Sequence, residues 1–154
     1  MIANGKMRKF PVTIRVLLAS LLICAAAHPE DKRNQFVVRG PTILAFFPDV
    51  TQEQVDNSPE LTETLSDFQW YAYTAAEPLK KAGIVFHQVY AASFQIRLGA
   101  RLINFRPKQP DIAGYYFIAP GKKPRTEYGV LTHIDLFQIA QEYFHISVHE
   151  TETK

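Results

Sequence analysis

The sequence predicts one small α/β domain, and three observations carry that prediction. Thr42-Ile43-Leu44-Ala45-Phe46-Phe47 is an unbroken run, apolar on both faces, as in a strand buried at the centre of a sheet. Leu61, Leu65, Phe68, Ala72, Ala75 and Leu79 recur at i, i+4, i+7, i+11, i+14 and i+18, which is one helical stripe. Towards the carboxyl end, two strand-like segments flank a Pro-Gly-Lys-Lys turn and lead into a capped amphipathic helix.

Before the domain comes a basic stretch (Lys6, Arg8, Lys9, Arg15) and an apolar run from Val16 to Ala27, closed by Ala25-Ala26-Ala27 and followed by His28-Pro29-Glu30-Asp31. A basic region, a short apolar region and an A-x-A site are the parts of a secretory signal peptide, here residues 1–27, whether synthesis starts at Met1 or Met7. The apolar run rises only about 18 Å as a helix, short of the ~30 Å hydrocarbon core, so no membrane span is expected after cleavage. Cys24 follows Leu21-Leu22-Ile23, which suggests a lipoprotein site, but bulky Ile23 makes the alanine site the better one. The expected location is the periplasm or the extracellular space.

Cleavage before His28 removes the only cysteine, so thiol–disulfide chemistry is excluded for the mature chain and its core must hold without disulfides. Four of the 17 Lys and Arg precede His28 and all 15 acids follow it, which leaves the remainder at −2 (13 bases against 15 acids). The net positive charge belongs to the targeting segment, and a nucleic-acid partner is not expected. The remaining residues suffice for one core.

Residues 28–35 form a polar lead, and Phe36-Val37-Val38 begins a strand before Arg39-Gly40-Pro41. Pro48 and Asp49 stop the central strand, and Thr51 and Gln54 have capping-box spacing for a short turn. Ser58-Pro59 starts the long helix, Pro78 should kink or end it, and Gly83 is a natural stop. Residues 84–90 read as a strand, 91–99 as a short helix or loop, and 101–105 as a strand closed by Arg106-Pro107. Residues 115–119 and 125–129 form the hairpin, with one of Tyr115 and Tyr116 on each face. Thr132 and Asp135 cap the last helix, which buries Leu136, Phe137, Ala140, Tyr143 and Phe144, and 145–154 is a polar tail expected to fray.

This order, over residues 36–144, resembles the thioredoxin fold, above all in the hairpin with its Gly/Lys turn, the Gly that follows and the capped helix. The resemblance implies a thioredoxin-like single domain, a mixed four- or five-stranded sheet with helices on both faces. Thioredoxin-like enzymes carry C-x-x-C just after the central strand. Here Phe47-Pro48-Asp49-Val50 stands in that place. The family's proline before the first hairpin strand is also displaced: Pro110 lies three residues too early, and Ile112-Ala113-Gly114 occupies its position. The resemblance therefore implies a scaffold and no catalytic residue.

The functional expectation is a non-catalytic binding or accessory protein of the cell envelope that holds a protein or peptide and uses no cofactor. Between Arg97 and Arg125 stand seven bases and one acid, and between Asp49 and Asp67 six acids and no base. The candidate partner-binding set is Arg97, Arg101, Arg106, Lys122, Lys123 and Arg125, which would favour an acidic partner. Pro48 and Asp49 are a second candidate, because ligands sit beyond the carboxyl ends of strands in open α/β sheets. An exported hydrolase with a dispersed site is the alternative, although no G-x-S-x-G, H-E-x-x-H or Gly-rich phosphate loop is present. A metal site in the tail would use His145 and His149, four apart, with Glu150 and Glu152, and it lacks a defined third ligand. His87 reads as packed in its strand and His133 as solvated. Trp70, Tyr71 and Tyr73 fall partly off the helical stripe and read as flank packing rather than an exposed surface.

Overall fold

The computed structural model describes residues 35–149. The expected signal peptide, most of the polar lead and residues 150–154 lie outside them. Seven strands and three helices make up the described residues: β1 (Gln35–Val38), β2 (Thr42–Phe47), α1 (Gln52–Asp56), α2 (Pro59–Lys81), β3 (Val85–Tyr90), β4 (Phe94–Leu98), β5 (Arg101–Phe105), β6 (Gly114–Ile118), β7 (Arg125–Tyr128) and α3 (His133–Phe144). The mixed α/β class is as expected, but the strands form two sheets and not one.

The four-stranded sheet runs β3-β2-β6-β7, with β2 parallel to β3, antiparallel to β6, and β6 antiparallel to β7. All six residues of β2 are buried, as its doubly apolar sequence demands. Ile43, Ala45 and Phe47 face α2 and α3 together with Tyr115 and Phe117. Leu44 and Phe46 face the other way, with Tyr116 and Ile118. The two tyrosines thus sit on opposite faces, and both are buried.

A three-stranded sheet, β1-β4-β5, covers that second face. The expectation of helices on both faces is therefore corrected. β4 also replaces the short helix or loop expected at 91–99: Phe94 and Ile96 point inward and are buried, Gln95 and Arg97 alternate with them, and the period of two is that of a half-buried strand. Gly99, at φ 59, turns β4 back into β5. Phe94 stacks on Phe105 at 4.6 Å between ring centroids, and Phe105 lies 4.4 Å from Tyr116, so aromatic rings join the two sheets.

The helices start where their caps dictate. Thr51 and Gln54 form the reciprocal capping box of α1, with bonds of 3.2 and 2.8 Å. Ser58 Oγ accepts from Leu61 N at the head of α2, and Thr132 Oγ1 accepts from Asp135 N at the head of α3. Pro78 is accommodated in the last turn of α2, which continues to Lys81 before Gly83 at φ 77 ends it. After α3 the chain stays on the core instead of leaving it. Val148 is buried among the helix-side residues and its carbonyl accepts from Gln141 Nε2 at 3.0 Å.

Candidate functional site: a cleft beyond the carboxyl end of the central strand

Where β2 ends, a cleft of about 480 Å³ opens, within the range of small-ligand and peptide side-chain sites. Pro48 ends the strand because it has no N–H to give the ladder, and Asp49 and Val50 carry the chain out along the cleft floor. One wall is Gln54 of α1 with Ser58, Glu60, Leu61 and Thr64 from the start of α2; the other is Pro110 to Ala113, with Gly129 and Val130.

The second wall is held by the backbone. Gly129 N donates to Ala113 O at 2.7 Å, and Gly129 has φ 102, a conformation that side-chain-bearing residues resist. Lys108 N donates to Tyr128 Oη at 2.7 Å and anchors the segment leading into the cleft. At Gly114, a Cβ would lie 2.5 Å from Glu127 O and 2.6 Å from Phe46 Cζ, so only glycine lets β6, β7 and the Phe46 ring approach this closely beside the wall.

The charged lining residues are Asp49, Glu60 and Asp111, and no Lys, Arg or His stands among them. The lining hydroxyls serve the helix: Ser58 Oγ is the cap, and Thr64 Oγ1 donates to Glu60 O at 2.8 Å. Tyr115, in the helix-side core, donates from its hydroxyl to Leu131 O at 3.4 Å, and burial pushes its pKa up to about 12. The arrangement can select by shape and by negative charge. No hydroxyl–histidine pair lines it.

Of the residues expected from sequence, Pro48 and Asp49 lie in this cleft. The basic set does not gather on one surface. Arg97 is on the outer face of the three-stranded sheet, in a row with Val37 and Leu102, while Arg101 and Arg106 are exposed at the two ends of β5. Lys122, Lys123 and Arg125 are beside α3, on the helix side. Lys122 Nζ donates to Tyr143 O at 2.7 Å, Lys123 O accepts from Tyr143 Oη at 3.0 Å, and Arg125 pairs with Glu127 at 2.6 Å and Glu142 at 3.3 Å. Two of the six side chains, Lys122 and Arg125, are thus engaged with their own fold, and Lys123 is held through its backbone carbonyl.

The histidines are dispersed. His145 closes α3 in the left-handed conformation (φ 58), so the helix does not continue and His145 and His149 share no helical face. Among the described residues no group of three potential metal ligands occurs. His87 rests against Phe36 at 5.2 Å but is otherwise exposed, and partial desolvation lowers its pKa. His133, expected in solvent, lies between Tyr71 and Phe137 at 6.2 and 5.9 Å. The reading of Trp70 and Tyr73 as flank packing is overturned: they are 63% and 76% exposed. The sequence reading also missed the wall from Pro110 to Ala113; its signal is a segment without strand or helix periodicity, bracketed by prolines and Gly114.

No protein-family model, no curated protein and no solved structure matches the chain. Fold and site together define a class, an α/β domain of two mixed sheets with an acid-lined cleft at the end of its central strand. Among the described residues, no helix is long and apolar enough to cross a membrane.

Proposed function

We propose that this chain is an exported, redox-inactive binding or accessory protein of the cell envelope, built on a thioredoxin-like scaffold, and that it holds a segment of a protein or peptide in the cleft beyond β2. The observation that carries the proposal is the cleft itself. It lies where open α/β sheets present ligands, its walls are fixed by backbone bonds, and its hydroxyls are committed to helix backbone rather than poised for attack. Support for the scaffold comes from the parallel β2–α2–β3 unit, the antiparallel β6–β7 hairpin closing the other side of β2, and α3 packed on the same face as α2. The three-stranded sheet on the opposite face is a departure from that scaffold. The three carboxylates of the lining favour a neutral or cationic segment over the acidic partner that the basic set suggests.

The test is site-specific photocrosslinking in a producing cell. A photoreactive side chain at Ile112, which lines the cleft, gives a discrete adduct; the same group at Leu102, exposed on the other sheet, does not. Asp49→Arg suppresses the Ile112 adduct. Equal adducts at both positions, or none at Ile112, would overturn the reading. Export is tested separately, by fractionation and by amino-terminal sequencing of the mature protein, for which His28 is the expected first residue.

A further inference from the structure

From Asp49 to Leu79 the chain contains seven acids and no Lys, Arg or His. On α2, Glu60, Glu63, Asp67 and Trp70 follow at i, i+3, i+7 and i+10, so they form one stripe about 15 Å long at the helical rise. All four are exposed, and Tyr73, one turn beyond Trp70, extends the aromatic end. The sheet-facing stripe of the same helix (Phe68, Ala72, Ala75, Leu79) is buried, and Tyr71 turns to α3, so the stripe looks away from the core, with Glu60 at its head also lining the cleft. Among the described residues no ion pair engages Glu60, Glu63 or Asp67; Lys80 meets Glu77 at the far end of the helix.

The bland account of the carboxylates is the helix dipole, which favours acids in the first turn. Glu60 satisfies it. Glu63 and Asp67 lie beyond that turn, and the dipole gives no reason for a tryptophan and a tyrosine to stand in water beside them. Two large aromatic side chains next to unpaired carboxylates are instead suited to one kind of occupant: a chain whose cations meet the acids and whose aliphatic stems or guanidinium groups lie on the rings.

We infer that the outer face of α2 docks a lysine- and arginine-rich polypeptide segment, with cations at three- to four-residue spacing over Glu60, Glu63 and Asp67 and an arginine or apolar side chain on Trp70 and Tyr73. This surface meets the cleft at Glu60, which lines both, while Glu63, Asp67, Trp70 and Tyr73 lie outside the cleft lining.

Trp70 is the only tryptophan of the chain, so its fluorescence reports on this surface alone. The full chain is titrated with a synthetic peptide carrying Lys or Arg at every third or fourth position, and with an acidic peptide of equal length. The basic peptide gives a saturable change in Trp70 emission that weakens as salt rises, because exposed charge pairs are screened. Glu63→Lys with Asp67→Lys weakens binding at least about tenfold, and Tyr73→Ala weakens it less. Leu102→Ser, exposed on the three-stranded sheet, leaves it unchanged. The milder Glu63→Gln with Asp67→Gln keeps the test open should charge reversal disturb folding, which circular dichroism checks. Absence of a saturable change, equal binding of the acidic peptide, or parental affinity in the doubly neutralised variant would overturn the inference.

Discussion

Gly114 offers the most direct test of how the cleft wall is built. In Gly114→Ala the new methyl would stand 2.5 Å from Glu127 O and 2.6 Å from Phe46 Cζ, whereas real Cβ atoms are essentially never found within 3.0 Å of such neighbours. Glu127 O is backbone in β7, opposite β6, and cannot retreat by half an ångström without loosening the pairing of Gly114 with Tyr128. Phe46 is fully enclosed, with Phe94, Phe105 and Tyr128 around its ring, so moving it means displacing those rings. Overpacking of this kind costs about 1–3 kcal/mol, and a rigid oxygen with a rigid ring places this site at the upper end. Removing glycine's unfolded-state freedom offsets about 0.4–1 kcal/mol, so a net loss of about 2 kcal/mol is expected. In a domain of this size that lowers Tm by roughly 5–10 °C. Urea and thermal unfolding followed by far-UV circular dichroism are the assays, since exposed Trp70 is a poor reporter of the core. Gly40→Ala is the control: a Cβ there meets nothing within 4 Å and its backbone needs no positive φ, so stability holds or rises slightly. Gly114→Ala within about 0.5 kcal/mol of the parent, inside the range of ordinary surface changes, would refute the close-approach argument.

Three further outcomes follow from the same geometry. Tyr115 has a folded-state pKa of about 12 against an ordinary 10, so its contribution is intact below pH 10 and is lost as pH rises towards 12. Its full size is on the order of 2–3 kcal/mol, and Tyr115→Phe should flatten that part of the alkaline unfolding curve. Ser58→Ala removes the cap of α2 and should cost about 1 kcal/mol by urea unfolding, with Ser58→Asp retaining most of it. His87 has a pKa below its ordinary 6.5, so stability is whole above pH 6.5 and declines as pH falls through the folded value; His87→Gln should remove this shallow slope.

What the sequence made legible is what a short window contains. The apolar run of β2, the caps at Thr51, Ser58 and Thr132, and the turn between β6 and β7 are each decided within a few residues, and each lies where the pattern puts it. β4 was obscured because Phe94-Gln95-Ile96-Arg97-Leu98 is too short to separate two periods, and one of its two partners, Gln35–Val38, lies far upstream. The cleft was half legible. Pro48 and Asp49 follow from where β2 ends, whereas the opposite wall comes from a segment brought there by β6. The basic residues illustrate the converse. They are neighbours in sequence, but Arg97 and Arg101 straddle the turn of a hairpin in the three-stranded sheet, while Lys122 and Arg125 belong to a hairpin of the four-stranded sheet and reach back to α3.

The register that joins Phe36 to Ile96 and Ile43 to Phe117 has a consequence in time. Neither sheet can close while the second half of the domain is still being made, because each waits for a strand far down the chain. Non-local closure of this kind is slow, since loop entropy is lost before the contacts reward it. A chain that lingers unfolded is exposed to aggregation, yet on the export route proposed above that delay would keep it threadable. Shortening it, for example by a permuted chain that places β1 directly before β4, should speed folding and, on that proposal, slow translocation with it.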